Sequence, residues 1–216
     1  MFKSLFLSGL LLVSSMAVYA NDAAQQAVVQ LQTKWAVAQY QTPKDKKESA
    51  FENLAKQAAE VTAKYPNQAE PLIWEAIINA TYAGAKGGLG ALGLVKKARN
   101  LLAQAEKIDP TAMQGSVYTS LGSLYYQVPG WPIGFGSNKK ARKYLEKAIE
   151  VNPRGIDSNY FYGDFLRERG EYEKAIEVLQ TALKAPPRPN RPVADAGRKS
   201  EIVTSLEKAK EKLAEQ

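Results

Sequence analysis

The chain has 216 residues and a formal net charge of +7, and it contains neither cysteine nor histidine. Without cysteine it forms no disulfide bond, and without histidine it has no Ser-His-Asp triad, no histidine general base and no histidine ligand for zinc. Carboxylates, lysines, tyrosines and hydroxyls remain for chemistry, but their spacing is that of charged helix surfaces. We therefore predict a protein that is not an enzyme, with no catalytic residue, no metal site and no cofactor.

The first segment, MFKSLFLSGLLLVSSMAVYA, has the pattern of a secretory signal peptide. Lys3 precedes an apolar run over residues 5–13, and Val18 and Ala20 occupy the two positions that a signal peptidase reads. A transmembrane anchor is the alternative, but the run is shorter than the roughly 20 apolar residues that a span requires. We predict that residues 1–20 are removed by cleavage after Ala20. This indicates a periplasmic protein without an integral membrane span after cleavage.

The basic balance alone is compatible with nucleic acid or anionic lipid as a partner. In segments such as KKARKYLEKAIE, however, lysines alternate with glutamates. That pattern is typical of a solvated helix face with pairs four residues apart. An exported protein rarely meets nucleic acid, so we expect no nucleic-acid partner.

Two helices are predicted next, over residues 23–40 and 44–64, with a break that contains QTPKD. A third helix covers residues 70–82, and its partner is expected to begin near Leu94. The stretch between them, AGAKGGLGALG, is predicted to be an inserted compact loop whose Leu89 and Leu92 enter the core. A phosphate-binding loop is not expected, because Lys86 precedes the glycine pair and no strand comes before it.

Four helical segments end at prolines, and these prolines are 44, 43 and 34 residues apart. They are Pro66, Pro110, Pro153 and Pro187. Upstream of the last three, a small-large-small pattern recurs in register. Its members are Ala98, Leu102 and Ala105, then Ala141, Leu145 and Ala148, then Ala175, Leu179 and Ala182. Small residues allow neighbouring helices to approach closely, and the large residue fills the groove between ridges. A period of about 34 residues indicates a helix-pair repeat.

The last repeat, NYFYGDFLRERGEYEKAIEVLQTALKAPP, shows the pattern most completely. Gly163 permits close helix contact, Gly170 lies in the turn, Tyr172 begins the second helix and Pro187 ends it. This segment resembles the tetratricopeptide repeat (TPR) family at most of that family's defining positions. The resemblance implies antiparallel helix pairs that stack into an array and bind protein partners.

The preceding repeat has Tyr118, Leu121, Gly122 and Tyr125 in matching places. Its first helix is therefore expected to end near Gln127. Seven residues are inserted before its second helix, within a stretch that contains VPGWPIGFG. For Trp131 and Phe135 two interpretations stay open, since they either plug the gap between helix pairs or form the wall of a binding site. Ile133 is expected in the core.

The predicted fold is all-α, a TPR-like array of about four antiparallel helix pairs plus a C-terminal capping helix. We assign residues 1–20 to the signal peptide, 21–193 to the repeat domain and 194–216 to the cap, whose helix is expected over residues 195–213. A repeat array requires a polar-faced terminal helix, and this one is mostly charged.

First helices line the inner surface of such arrays, so the repeat register predicts which side chains face inward. The inward positions of the three repeats are Glu70, Ile73, Ile77, Ala80 and Thr81, then Ser116, Thr119, Ser123, Tyr126 and Gln127, then Asp157, Tyr160, Asp164, Arg167 and Glu168. Such a mixture also suits a merely hydrated concave face. The candidate binding residues are Tyr126, Gln127, Trp131, Phe135, Tyr160, Asp164 and Arg167.

Two functions stay open from the sequence. One is a scaffold that binds a protein or peptide partner along the groove. The other is a small-ligand carrier with the inserted loops as its roof. Residues 128–153, where the insertion is followed by NKKARKYLEKAIEVNP, resemble the TPR-type T component of tripartite periplasmic (TRAP) transporters. That resemblance implies ligand binding and docking to a solute-binding protein.

Overall fold

The structure, a computed structural model, describes the backbone of residues 8–216 and the side chains of residues 22–216. Within this part of the chain there are nine α-helices and no strand, so the all-α prediction is confirmed. The helices are α1 (Ser8–Tyr40), α2 (Lys47–Lys64), α3 (Ala69–Lys86), α4 (Gly90–Ile108), α5 (Ala112–Gln127), α6 (Asn138–Val151), α7 (Ile156–Glu168), α8 (Tyr172–Leu183) and α9 (Pro192–Ala214). The signal-peptide prediction lies outside the residues whose side chains are described, and it stays a prediction.

Helices pair in chain order, and the small-large-small pattern lies at the centre of the pairs. All nine of its members are at most 1% exposed. A Cβ atom added to Gly122 would lie 2.6 Å from Cγ of Leu145, and one added to Gly163 would lie 2.6 Å from Cγ of Leu179. The two repeats therefore use the same glycine-leucine contact to bring α5 onto α6 and α7 onto α8. This equivalence confirms the register read from the sequence.

The two insertions take different forms. The expected break after Gln127 is present, because α5 ends there and an irregular loop over residues 128–137 leads to α6. Ser137 caps α6, since its hydroxyl accepts a hydrogen bond from the Lys140 amide. We call residues 128–137 the aromatic loop.

The prediction of an inserted loop between α3 and α4 is wrong. Its residues extend both helices instead, and only Gly87, Gly88 and Leu89 separate them. The two glycines have φ angles of 65° and 60°, a left-handed conformation that ends α3 abruptly. Leu89 is 86% exposed, so its predicted place in the core is wrong as well. Leu92 is half-buried.

The last helix reaches beyond the end of the array. Helix α9 packs against α8 and α7, as a terminal helix should, but it also contacts α1 at the other end of the chain. The Tyr40 ring of α1 covers the α9 backbone at Gly197, where an added Cβ would collide with the ring. The first and last helices therefore meet across the inner side of the array. In residues 8–216 no helix has the length and apolarity that crossing a membrane requires.

Candidate functional site

Four of the predicted binding residues meet where α5 lies beside α7. Tyr126 and Gln127 end α5, and Asp164 and Arg167 belong to α7. The Tyr126 hydroxyl donates a hydrogen bond to Oδ2 of Asp164 over 2.8 Å, and Nε2 of Gln127 donates to the Tyr126 hydroxyl over 3.0 Å. Burial, together with the Asp164 carboxylate, raises the pKa of Tyr126 well above its usual value. The Tyr126 hydroxyl therefore remains protonated and acts as a donor.

A side chain of α9 completes this network. Oγ of Ser205 donates to Oδ1 of Asp164 over 3.0 Å and accepts from Nε of Arg167 over 3.0 Å. Arg167 also forms an ion pair with Asp164 over 2.8 Å and another with Glu168 over 2.7 Å. Three helices, α5, α7 and α9, are thus joined by one set of polar contacts. We call the surface they form at Tyr126, Tyr160, Asp164, Arg167 and Ser205 the inner face.

Tyr160 lies one turn before Asp164 on α7 and packs against Arg198 of α9. The Arg198 guanidinium carbon is 4.4 Å from the centre of the Tyr160 ring, a cation–π contact. Burial raises the pKa of Tyr160 to about 12, and the Arg198 charge opposes part of that rise. Arg198 also forms ion pairs with Asp157 over 2.8 Å and with Glu201 over 2.5 Å. These contacts attach the N-terminal half of α9 to α7.

Asp157, one of the predicted inward residues, lies at the centre of an arginine cluster. Arg188 in the α8–α9 linker forms an ion pair with Asp157 over 2.7 Å and another with Asp195 over 2.6 Å. Burial alone would raise the pKa of the Asp157 carboxyl. The guanidinium groups of Arg198 and Arg188 outweigh burial, and the pKa lies well below its ordinary value. Asp157 is therefore ionised at all physiological pH values.

The α8–α9 linker crosses the inner side of the array toward its N-terminal half. The Arg191 guanidinium carbon lies 5.0 Å from the centre of the Trp74 ring on α3. Ala194 packs into the apolar cluster that contains Trp35 and Trp74. The Tyr40 hydroxyl of α1 donates to Glu201 over 3.2 Å. Residues 188–201 thus fill part of the groove that the repeat pattern predicts to be open.

The inward positions of the first matching repeat are covered as well. Ile73 is fully buried in the core. The Thr81 hydroxyl accepts a hydrogen bond from Nε1 of Trp35 over 3.0 Å, which places α1 over this part of α3. The accessible inner surface therefore lies toward α7 and α9, away from α3.

Two open depressions flank α9. The smaller, of 330 Å³, lies between α7 and α9, and three of the predicted binding residues line it. Its lining consists of Tyr160, Asp164, Arg167, Ser200, Glu201, Thr204, Ser205 and Lys208. The larger, of 640 Å³, lies between α1 and the start of α9. Acidic and basic groups alternate around the smaller depression, which suits the mixed polar groups of a polypeptide.

The two binding residues predicted in the aromatic loop lie apart from this network. Phe135 packs edge-on against Tyr125, with ring centres 5.7 Å apart, and the Arg99 guanidinium lies 4.5 Å from the centre of its ring. Phe135 is therefore a structural anchor for the loop. Trp131 is 89% exposed, so of its two interpretations the core plug does not apply. Ile133 is 61% exposed, and its predicted place in the core is wrong.

The inner face offers little for catalysis. Its one carboxylate, Asp164, is already paired with Arg167, and the hydroxyls of Tyr126 and Tyr160 have raised pKa values. Among the side chains of residues 22–216 no group of three or more acidic residues is placed to hold a metal ion. The arrangement is suited to hydrogen bonding and to aromatic contact with a partner.

Residues 133–196 match the family model described as tetratricopeptide repeat. No curated protein matches the chain significantly. Among solved structures, a thermophilic TPR protein of Thermus thermophilus is similar at a TM-score of 0.58 and 20% identity, over 89% of each chain. YrrB, described as a TPR protein with an unusual peptide-binding site, is similar at a TM-score of 0.42 and 15% identity, over 76% of this chain and 78% of that one. MamA is similar at a TM-score of 0.42 and 23% identity, over 81% and 96%.

Sequence reasoning missed the part that α9 plays. The predicted α5 and α7 side chains lie on one surface, but the repeat register treated the last helix only as a cap. One signal was present in the sequence. Ala194, Asp195, Arg198, Ile202, Ser205, Leu206 and Ala209 recur at helical spacing, and all are buried. Ionic and polar residues within such a stripe indicate a helix that packs on a polar surface rather than on an apolar core.

Proposed function

We propose that the chain is a tetratricopeptide repeat protein that is exported and acts as a scaffold, binding a polypeptide segment at its inner face. Gln127, Tyr160 and Arg167 provide the first contacts, and the exposed positions of α9 form the opposite wall. The depression between α7 and α9 carries this proposal, because it joins three of the predicted binding residues to exposed positions of α9.

The chemistry of this depression favours a polypeptide. Tyr160 provides aromatic surface, while Arg167 and Lys208 provide donors and Glu201 provides an acceptor. A peptide backbone offers both donors and acceptors, so such a mixed wall can bind it without leaving buried polar groups unpaired. The partner segment would lie along the groove between the two helices.

A small-ligand carrier is less well supported. That function calls for an enclosed apolar cavity beneath Trp131. Instead Trp131 is 89% exposed, and neither depression beside α9 includes a residue of the aromatic loop. The TRAP-type alternative therefore has no support from the loop that suggested it.

The test is selection of displayed peptides on the immobilised protein, followed by affinity measurement with variants. Lys208→Glu changes the charge of the depression, and Gln127→Ala removes an exposed amide that donates to Tyr126 at the α5 side of the inner face. Lys210→Glu is the matched control, because Lys210 is an exposed lysine of the same helix that does not line the depression. We expect the first two variants to weaken binding and the control to leave it unchanged. Equal affinity in all four proteins would refute the proposed site.

A further inference from the structure

The net charge of the chain is concentrated in one segment. Residues 76–145 contain nine lysines and arginines and only two acidic residues, Glu106 and Asp109, which is a net charge of +7. The remaining residues contain 20 basic and 20 acidic side chains, so they contribute no net charge. The segment runs from α3 into α6 and includes both the α3–α4 turn and the aromatic loop.

Stacked repeats place equivalent turns along one edge of an array, so these two connections, which both join the first and second helices of adjacent repeats, are expected at the same edge. Glu106 and Asp109 lie at the other end of α4, so neither acidic residue of the segment is at this edge. Three of the basic side chains, Lys86, Lys97 and Arg142, pair with carboxylates from outside the segment.

Lys139 and Lys140 begin α6 beside the aromatic loop. Neither lysine has a carboxylate within 4.0 Å among the described side chains. Lys140 lies 5.2 Å from the centre of the Tyr125 ring, a contact that leaves its charge without an opposite partner. Both lysines are exposed.

The positions of Lys139 and Lys140 are unfavourable for the helix itself. The N-terminal end of a helix carries partial positive charge, and acidic residues are preferred there. The first turn of α6 contains no acidic residue and two lysines. Residues that contradict a local preference without a compensating charge within the fold are expected at functional sites.

Apolar side chains project from the same edge. Trp131 and Ile133 are 89% and 61% exposed, and Leu89 in the α3–α4 turn is 86% exposed. The aromatic loop is held by its own contacts. The Gly134 amide donates to the Gly130 carbonyl over 3.0 Å, and the Gly136 amide donates to the Pro129 carbonyl over 2.9 Å.

Phe135 packs against Tyr125 and so holds the loop on the array, whereas the side chains of Trp131 and Ile133 are exposed and do not pack into the core. The loop therefore presents two large apolar side chains to water in an ordered conformation. We call Leu89, Trp131, Ile133, Lys139 and Lys140 together the basic edge.

We propose that the basic edge docks the protein on an anionic lipid membrane, with Trp131 and Ile133 inserted among the headgroups and the lysines bound to lipid phosphates. Isolated apolar side chains that project from a cationic surface are the combination that interfacial binding uses. Tryptophan in particular favours the membrane–water interface. This surface is separate from the inner face, so the proposal does not depend on the proposed scaffold function.

Vesicle binding of the protein without residues 1–20, the predicted signal peptide, tests the proposal, with intrinsic fluorescence as a direct reporter of Trp131. The other two tryptophans, Trp35 and Trp74, are 6% and 2% exposed, and residues 1–20 contain none. On vesicles that contain phosphatidylglycerol, we expect emission to move to shorter wavelength and brominated lipids to quench it. On pure phosphatidylcholine vesicles both effects should be much weaker. The shift should be absent in Trp131→Ala.

The electrostatic part is tested by co-sedimentation of the Lys139→Glu/Lys140→Glu double variant. Each lysine near an anionic surface contributes about a fivefold increase in binding, so the double variant should bind at least about 25-fold more weakly. Lys199→Glu/Lys210→Glu is the matched control, because it makes the same change of net charge at two exposed lysines of α9. We expect this control to reduce vesicle binding only a few-fold.

Three results would overturn the proposal. One is equal binding to anionic and zwitterionic vesicles, and another is vesicle binding that leaves the Trp131 emission unchanged. The third is an emission shift that follows protein concentration without lipid, which would assign the basic edge to contact with a second copy. Thermal unfolding of each variant separates loss of binding from loss of folding.

Discussion

The close approach of α7 to α8 can be tested by adding one methyl group at Gly163. In Gly163→Ala the new Cβ would lie 2.6 Å from Cγ and 2.9 Å from Cδ2 of Leu179, and 3.3 Å from its backbone nitrogen. Leu179 is fully buried and cannot turn away without displacing its neighbours. Overpacking of this kind costs about 1–3 kcal/mol. Alanine regains about 1 kcal/mol through its higher helix propensity. The net loss of stability should therefore be about 1 kcal/mol.

The matched control is Gly93→Ala on α4, where an added Cβ meets no atom within 4 Å. Without overpacking it should raise stability by about 0.5–1 kcal/mol. Urea unfolding followed by circular dichroism measures both variants. The stability difference between them isolates the packing cost, with an expected size of about 1–3 kcal/mol.

A double variant sharpens the test. Leu179→Ala alone should cost about 2–5 kcal/mol, since it leaves a cavity between α7 and α8. In Gly163→Ala/Leu179→Ala the added methyl group occupies part of that cavity, so the combined loss should be smaller than the sum of the two single losses. Equal stability changes at Gly163 and Gly93, or strict additivity in the double variant, would refute the close contact.

The remaining predictions concern the loop, the arginine cluster and export. Trp131→Ala should change the free energy of unfolding by less than about 0.5 kcal/mol, because the side chain is mostly exposed; a loss of about 3 kcal/mol in thermal unfolding would contradict this. Asp157→Asn should cost about 1–3 kcal/mol at pH 7, since Arg198 loses a charged partner. The folded-state pKa of Asp157 is depressed, so this contribution to stability is present above its unfolded pKa of about 4 and is lost as the pH falls below that value. In denaturant unfolding, the difference in the free energy of unfolding between wild type and variant should therefore become smaller toward a pH of about 2. N-terminal sequencing of the exported protein should begin at Asn21, and a full-length product would contradict cleavage after Ala20.

The helix pairs and their register were readable from the sequence because they depend on local patterns. The small-large-small recurrence requires particular residue sizes at fixed spacings, and close helix packing tolerates few alternatives. Proline likewise marks helix ends, and Pro110 and Pro153 lie just after the ends of α4 and α6. The start of α8 at Tyr172 was therefore predicted to the residue, and α5 ends at Gln127, near which its end was expected. The meeting of Tyr126, Asp164 and Arg167 on one surface followed from the same register.

Only the tertiary structure decided which of the remaining segments are exposed to solvent and which are buried. The glycine-rich stretch after α3 extends two helices instead of forming a loop, because both conformations suit its alanines and leucines locally. Trp131 is equally compatible with a core and with water until its neighbours are known. The position of α9 depends on contacts with Tyr40 and Trp74, more than a hundred residues earlier in the chain. Such contacts leave no periodic signal, since their stability comes from the meeting of distant surfaces rather than from the spacing of neighbouring residues.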